Sequence, residues 1–201
     1  MSRTGQLLPL WLKIAFSAWI AVWAPAYVVI YGPQNFFWLC NVASFLILLA
    51  LWLEHRLLFS AQLLSVLLVG TLWTFDVGVA LLTGVHPIGG TQYMFDDDVA
   101  LPSRLLSLYH VVLPVVAVYA CLRLGYDRRA LLLQTLLTWI VVPLSWVFTD
   151  PERNINWVEG PFGEAQDVLD PRLYVALLTL AWPVIIYVPV HLTIRALQYR
   201  R

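Results

Sequence analysis

LLSLYHVVLPVVAVYACLR, residues 105–123, is an apolar run that places a single histidine, His110, well inside it. A bilayer's hydrocarbon core takes about 20 helical residues to cross, and this run supplies them. Buried in hydrocarbon, an imidazole needs a partner or a water-filled cavity, so an intramembrane histidine is a functional candidate by default. This stretch makes the chain an integral membrane protein and raises the question of which other residues reach His110.

Composition agrees. The 201 residues are 61% hydrophobic and 12% charged, against about 45–50% apolar and about 25% charged in soluble domains. Twelve basic and twelve acidic residues cancel, so nothing suggests nucleic acid as a partner. No boundary or repeat divides residues 1–201, which read as one membrane domain.

The predicted fold class is all-α, a polytopic bundle of six transmembrane helices over residues 10–31, 36–53, 58–82, 104–122, 130–149 and 172–195. The first run resembles a secretory signal, with Arg3 and Lys13 ahead of it and Ala24-Pro25-Ala26 within it. Signal cores are only about 7–15 residues long, and this one continues to Tyr31, so it is expected to be a retained helix. Cys40 and Cys121 fall toward opposite ends of the layer and are not expected to form a disulfide, which needs Cα atoms within about 7 Å.

Lysine and arginine set the expected orientation. With both termini on one side, that side holds Arg3, Lys13, Arg56, Arg123, Arg128, Arg129, Arg195, Arg200 and Arg201, and the other only Arg104, Arg153 and Arg172. Both termini are therefore expected in the cytoplasm, in the cell (inner) membrane. The acidic residues sort the other way: Asp96–Asp98, Asp150, Glu152, Glu159, Glu164, Asp167 and Asp170 all fall outside. Outer segments 84–103 and 150–171 are long, and long loops are often lids or binding elements.

At about 1.5 Å per helical residue, His110 lies roughly 9 Å inside the outer boundary. Asp76 comes to the same depth, and Cys40 and Asn41 to roughly 6–8 Å. Cys40 as nucleophile, His110 as base and Asp76 as orienting acid would meet the needs of covalent catalysis. Asn41 is a candidate oxyanion donor; with Trp73 and Ser107 it makes the expected substrate-binding set. The alternatives are plain ones. A buried free cysteine often serves as a small hydrophobe, and His110 bonded to Asp76 would be inter-helix glue. His86 reads as a loop residue able to cap the site. Asp96-Asp97-Asp98 reads as solvated loop without the spaced ligands of a calcium site, and Asn154-Ile155-Asn156-Trp157 as a turn with an interfacial tryptophan. No Walker loop, GxGxxG, HExxH or CxxC occurs, so no cofactor and no metal are expected.

Phe36–Leu53 (FFWLCNVASFLILLALWL) and Ser107–Val116 (SLYHVVLPVV) resemble the six-helix androgen-induced family of membrane hydrolases and its bacterial and acyltransferase relatives. The resemblance implies cleavage or transfer of fatty acyl groups, with His110 as the histidine of a later span. It implies a nucleophile early in the chain, threonine in the hydrolase branch and cysteine in the acyltransferase branch; the candidate is Cys40. Two other functions stay open: a transporter or small-molecule binder using an Asp76–His110 pair, and a structural subunit. The expected partners are membrane lipids, with a homo-oligomer or another membrane protein possible.

Overall fold

Inside a bilayer every backbone N–H and C=O needs a partner within the protein, and a helix supplies them from its own segment. The computed structural model describes residues 7–199, and its apolar runs are helical for most of their length. Arg3, Arg200 and Arg201, which enter the charge sorting, lie outside the described residues. The helices are α1 (Leu10–Tyr31), α2 (Leu39–Leu53), α3 (Arg56–Thr83), α4 (Leu101–Leu106), α5 (Tyr109–Leu124), α6 (Ala130–Phe148), α7 (Pro171–Trp182) and α8 (Val188–Tyr199). Among the described residues there is no strand. α4 and α5 form one leg bent at Ser107–Leu108, and a wider π-helical turn over Pro183–Tyr187 joins α7 to α8.

Five legs are long and apolar enough to cross a membrane: Leu10–Tyr31, Arg56–Thr83, Leu101–Leu124, Ala130–Phe148 and Pro171–Gln198. α2 is shorter, with 15 residues, or about 22 Å of helix against a hydrocarbon core of about 30 Å. The sequence suggested a second helix starting at residue 36. Instead Pro33–Phe37 forms a tight 3-10 turn, and Trp38, at φ −54° and ψ 129°, interrupts the helical path before Leu39.

The bundle is apolar outside and polar within. Val22, Val29, Leu82 and Leu122 are each more than 60% exposed, whereas Asn41, Gln62, Asp76, Gln134 and Thr138 are at most 1% exposed. A water-soluble protein would reverse this distribution. The buried polar groups tie helices together, as they do in membranes. Gln62 of α3 donates to Gln134 of α6 at 3.3 Å, and Thr138 shares a hydrogen with the hydroxyl of Tyr187, in the π turn, at 2.7 Å.

α3 is the central helix, packed against α2, α5 and α6. Its tightest approach is at Gly70, where an added Cβ would lie 2.6 Å from the His110 carbonyl oxygen and 2.6 Å from Pro114 Cγ. Pro114 has no N–H, so it offers the His110 carbonyl no helical bond. The bare face of Gly70 sits over that freed oxygen and fixes α5 against α3.

Bonds between turns show that the legs alternate in direction. At one end Lys13 pairs with Glu54 at 2.8 Å, Arg56 with Asp127 at 3.3 Å, and Tyr126 with His191 at 2.7 Å. That end, here the terminal end, therefore gathers the start of α1, two turns and part of α8. Burial raises the Glu54 carboxyl pKa, but hydrogen bonds from Lys13 and the N–H groups of Leu7 and Leu8 outweigh it and leave it below the usual value. For Asp127 the Arg129 side chain is the main cause, holding the carboxyl well below the ordinary range. At the opposite, loop end, the Tyr31 hydroxyl donates to the Ser103 carbonyl at 3.2 Å, and the Asp150 N–H to Gln34 at 2.8 Å.

Candidate functional site

The polar layer expected near the loop end is present, with partners the sequence did not indicate. Cys40 lies in the first turn of α2, and its Sγ is 3.1 Å from the hydroxyl of Tyr109, the first residue of α5. Tyr109 is 4% exposed. His110 follows it. Its ring stacks on Tyr109 (centroids 4.2 Å apart, planes at 27°) and on Trp73 of α3 (5.0 Å, 21°).

His110 Nδ1 lies 2.9 Å from the Ser107 carbonyl oxygen. A carbonyl only accepts, so Nδ1 carries the proton and Nε2 presents a lone pair. Among the described residues Nε2 has no hydrogen-bond partner. The bend between α4 and α5 makes this possible, because it brings the Ser107 carbonyl beside the side chain three residues on. Trp73 is held in turn: its Nε1 donates to the Tyr93 hydroxyl at 3.1 Å, and that hydroxyl also lies beside Ser107. Tyr93 comes from the first long loop, which therefore roofs the layer.

Asn41, expected as an oxyanion donor, uses its amide differently. Nδ2 donates to the Asn35 carbonyl at 2.7 Å, and Oδ1 is 4.0 Å from Cys40 Sγ. It closes the 33–37 turn onto α2. Tyr27 completes this side, stacked on Trp23 at 4.7 Å with its hydroxyl near Asn35, Asn41 and Tyr109.

Asp76 has another task than the orienting acid that depth suggested. It is fully buried and accepts the N–H groups of Ile88 at 2.7 Å and Gly89 at 3.3 Å, along with the Thr91 hydroxyl. His86 Nδ1 is 3.4 Å from the same carboxylate and 2.8 Å from Thr91 Oγ1. Asp76 thus anchors the first long loop, and His86 braces that anchor. The physical reason is azimuth. At 100° per residue, taking Gly70 as the direction of α5, Trp73 points about 60° from it but Asp76 about 120°. Equal depth does not bring Asp76 to His110.

Asp76→Asn replaces an acceptor with an amide that presents its own hydrogens to Ile88 and Gly89. Loss of charge-assisted hydrogen bonds worth about 1.5–3 kcal/mol each should free the loop. Limited proteolysis is expected to cut within 85–91 at least tenfold faster than in the wild type, and an unchanged cutting rate would refute the anchor.

The second long loop also turns inward. Asn156 is 1% exposed and sits at φ 56°, a left-handed conformation that asparagine tolerates better than most residues. Its Oδ1 accepts the Leu39 N–H at 2.9 Å, and its Nδ2 donates to the Phe37 carbonyl at 2.7 Å and Ser145 Oγ at 2.8 Å. One side chain so caps the short α2 and joins it to α6. Nearby, Arg153 donates to the Tyr31 carbonyl and to Asn35 Oδ1, the latter at 3.1 Å. The sequence showed Asn156 only as a turn residue; paired asparagines before a bulky Trp157, itself at φ 60°, were the available signal.

The layer therefore collects a thiol, an imidazole with one open nitrogen, and tyrosine hydroxyls, enclosed by aromatic rings. Such a set suits proton transfer and nucleophilic attack. Among the described residues no three His, Cys, Asp or Glu side chains come together as metal ligands. No protein family, no curated protein and no solved structure matches this chain.

Proposed function

We propose that the chain is a six-span integral membrane protein that transfers or hydrolyses lipid acyl groups, with Cys40 as nucleophile and His110 as base. In the full orientation proposed, both termini are cytoplasmic, as the arginine sorting implies, and the site opens toward the outer leaflet of the cell membrane. α2 makes the sixth passage, its missing length filled by residues 33–38 and the Asn156 loop. The observation that supports the function is the open Nε2 of His110, fixed in tautomer by Ser107, on the residue next to Tyr109, whose hydroxyl meets the Cys40 thiol. A site beneath the headgroups suits an ester whose acyl chains stay in the bilayer. The resemblance to the androgen-induced family and its acyltransferase relatives points the same way.

In this mechanism the Cys40 sulfur attacks the ester carbonyl while its proton passes to His110 Nε2. The tetrahedral intermediate collapses, the ester C–O bond breaks, and the leaving alcohol takes the proton from His110. The Cys40 thioester is then attacked by water or an acceptor alcohol, with His110 again as base. A transport cycle built on an Asp76–His110 pair has less support, because the two side chains have separate partners.

An activated acyl ester carrying a reporter group tests the proposal on purified protein in detergent. Labelling is expected at Cys40, absent in Cys40→Ala, and at least ~100-fold slower in His110→Ala, the usual scale of general-base catalysis. Equal labelling of wild type and His110→Ala would remove the base, and no labelling of any form would end the acyl-transfer reading.

A further inference from the structure

Between α6 and α7 an open groove of about 490 Å³ faces the lipid. Pro143 and Trp146 of α6 line one side, and Ala176, Thr179 and Leu180 of α7 the other, with Arg172 at the loop end. Thr179 spends its hydroxyl on the Val175 carbonyl at 2.7 Å, so the groove is apolar below Arg172. From Arg172 to Leu180 the helix descends about 12 Å, close to the depth of one leaflet in a hydrocarbon core of about 30 Å.

The charges at its mouth are not used within the fold. Arg172 lies in the first turn of α7 and is exposed. Among the described residues its guanidinium has no hydrogen bond and no carboxylate at ion-pair distance. Asp170, just before the helix, accepts the N–H groups of Arg172 at 2.9 Å and Leu173 at 3.3 Å through Oδ1. Its Oδ2 has no hydrogen-bond partner among the described residues.

From the bilayer outward the order is therefore apolar groove, cation, anion. A phospholipid with an amine headgroup has the complementary order of acyl chain, phosphate and ammonium. A guanidinium matches two phosphate oxygens at once, and basic pockets between membrane helices hold lipid headgroups. Trp146, near the end of α6, adds a ring of the kind that sits at headgroup level.

We propose that the groove between α6 and α7, with Arg172 and Asp170 at its loop end, holds one phospholipid whose headgroup carries an amine beyond its phosphate. The acyl chain lies along Ala176 and Thr179, the phosphate meets Arg172, and the ammonium meets Asp170. The groove is on other helices than Cys40 and His110, and it does not depend on the function assigned to them.

Native mass spectrometry of the full chain in detergent tests this with phosphatidylethanolamine, phosphatidylglycerol and diacylglycerol of equal chain length. Wild type is expected to retain phosphatidylethanolamine about tenfold better than diacylglycerol, the ratio one charge-assisted bond supports, and better than phosphatidylglycerol. Arg172→Gln should bring phosphatidylethanolamine down to the level of diacylglycerol. Asp170→Asn, which still caps α7, should keep the need for phosphate and lose the preference between the two phospholipids. Ala176→Trp fills the groove from its lipid-facing side and should reduce retention of all three. Arg123→Gln, at the opposite end, should change nothing. Equal retention of phosphatidylethanolamine and diacylglycerol by wild type would overturn the proposal. So would phosphatidylglycerol held as well as phosphatidylethanolamine, or wild-type retention in Arg172→Gln or Ala176→Trp.

Discussion

Asn156→Ala is expected to lower the thermal midpoint of the protein in detergent by on the order of 10 °C. The substitution strands two polar groups together, the Leu39 N–H and the Phe37 carbonyl, and takes a donor from Ser145 Oγ, which keeps its own bond to the Val141 carbonyl. Each buried group left unpaired costs about 1–3 kcal/mol, and a chain of this size shifts by about 2–4 °C per kcal/mol. Local damage should accompany the global loss. With its N-terminus uncapped, the first turn of α2 frays, and Cys40 should react faster with a small thiol reagent. Asn156→Asp separates the parts: a carboxylate still accepts from Leu39 but donates to neither Phe37 nor Ser145, so an intermediate midpoint is expected. Asn156→Gly accommodates φ 56° and should still unfold early, since the bonds rather than the backbone hold the loop. A midpoint for Asn156→Ala within 1 °C of wild type would show that water replaces the side chain.

The second large effect is expected at Gly70. Alanine there sets a methyl 2.6 Å from the His110 carbonyl oxygen and from Pro114 Cγ, and neither is the free end of a flexible chain. α3 and α5 must separate, at an overpacking cost of about 1–3 kcal/mol. The same shift draws Trp73 away from His110, so the variant should label more slowly with the acyl probe even where it folds. Gly78 is the internal control. It lies on the same helix, and an added Cβ there meets nothing within 4 Å, so Gly78→Ala should be neutral or gain about 0.5–1 kcal/mol in helix propensity. Thermal unfolding of the two variants side by side settles the point; matching midpoints would exclude a close approach at Gly70.

Much of the bundle was legible because hydrophobic run length and backbone satisfaction impose the same answer: an apolar run of 20 residues has to be a helix. Depth was legible for the same reason, since a helix rises uniformly, and Cys40 meets the hydroxyl of Tyr109, the neighbour of His110. Azimuth was not. The direction of a side chain around α3 depends on which face packs against α5, and that is decided by Gly70 and Pro114 together, two residues unremarkable when read separately. Asp76 therefore looked like a partner for His110 and proved to hold the first long loop. Tyr109, next to His110 in the sequence, passed as one more apolar-run residue, although its hydroxyl is what meets Cys40. Asn156 was hidden by polarity: Asn-Ile-Asn-Trp looks like a turn with an interfacial tryptophan, and only the short α2 gives the asparagine a vacancy to fill.

That cap also sets a timetable for making the protein. Leu39 and Asn156 are 117 residues apart, which at about 5–20 residues per second is roughly 6–23 s of translation. For that interval α2 exists without the group that closes its first turn, while α3, α5 and α6 emerge around it. The second helix to be synthesised is thus among the last to be finished, and the nascent chain must hold α2 uncapped until the second long loop, with Asn156, arrives.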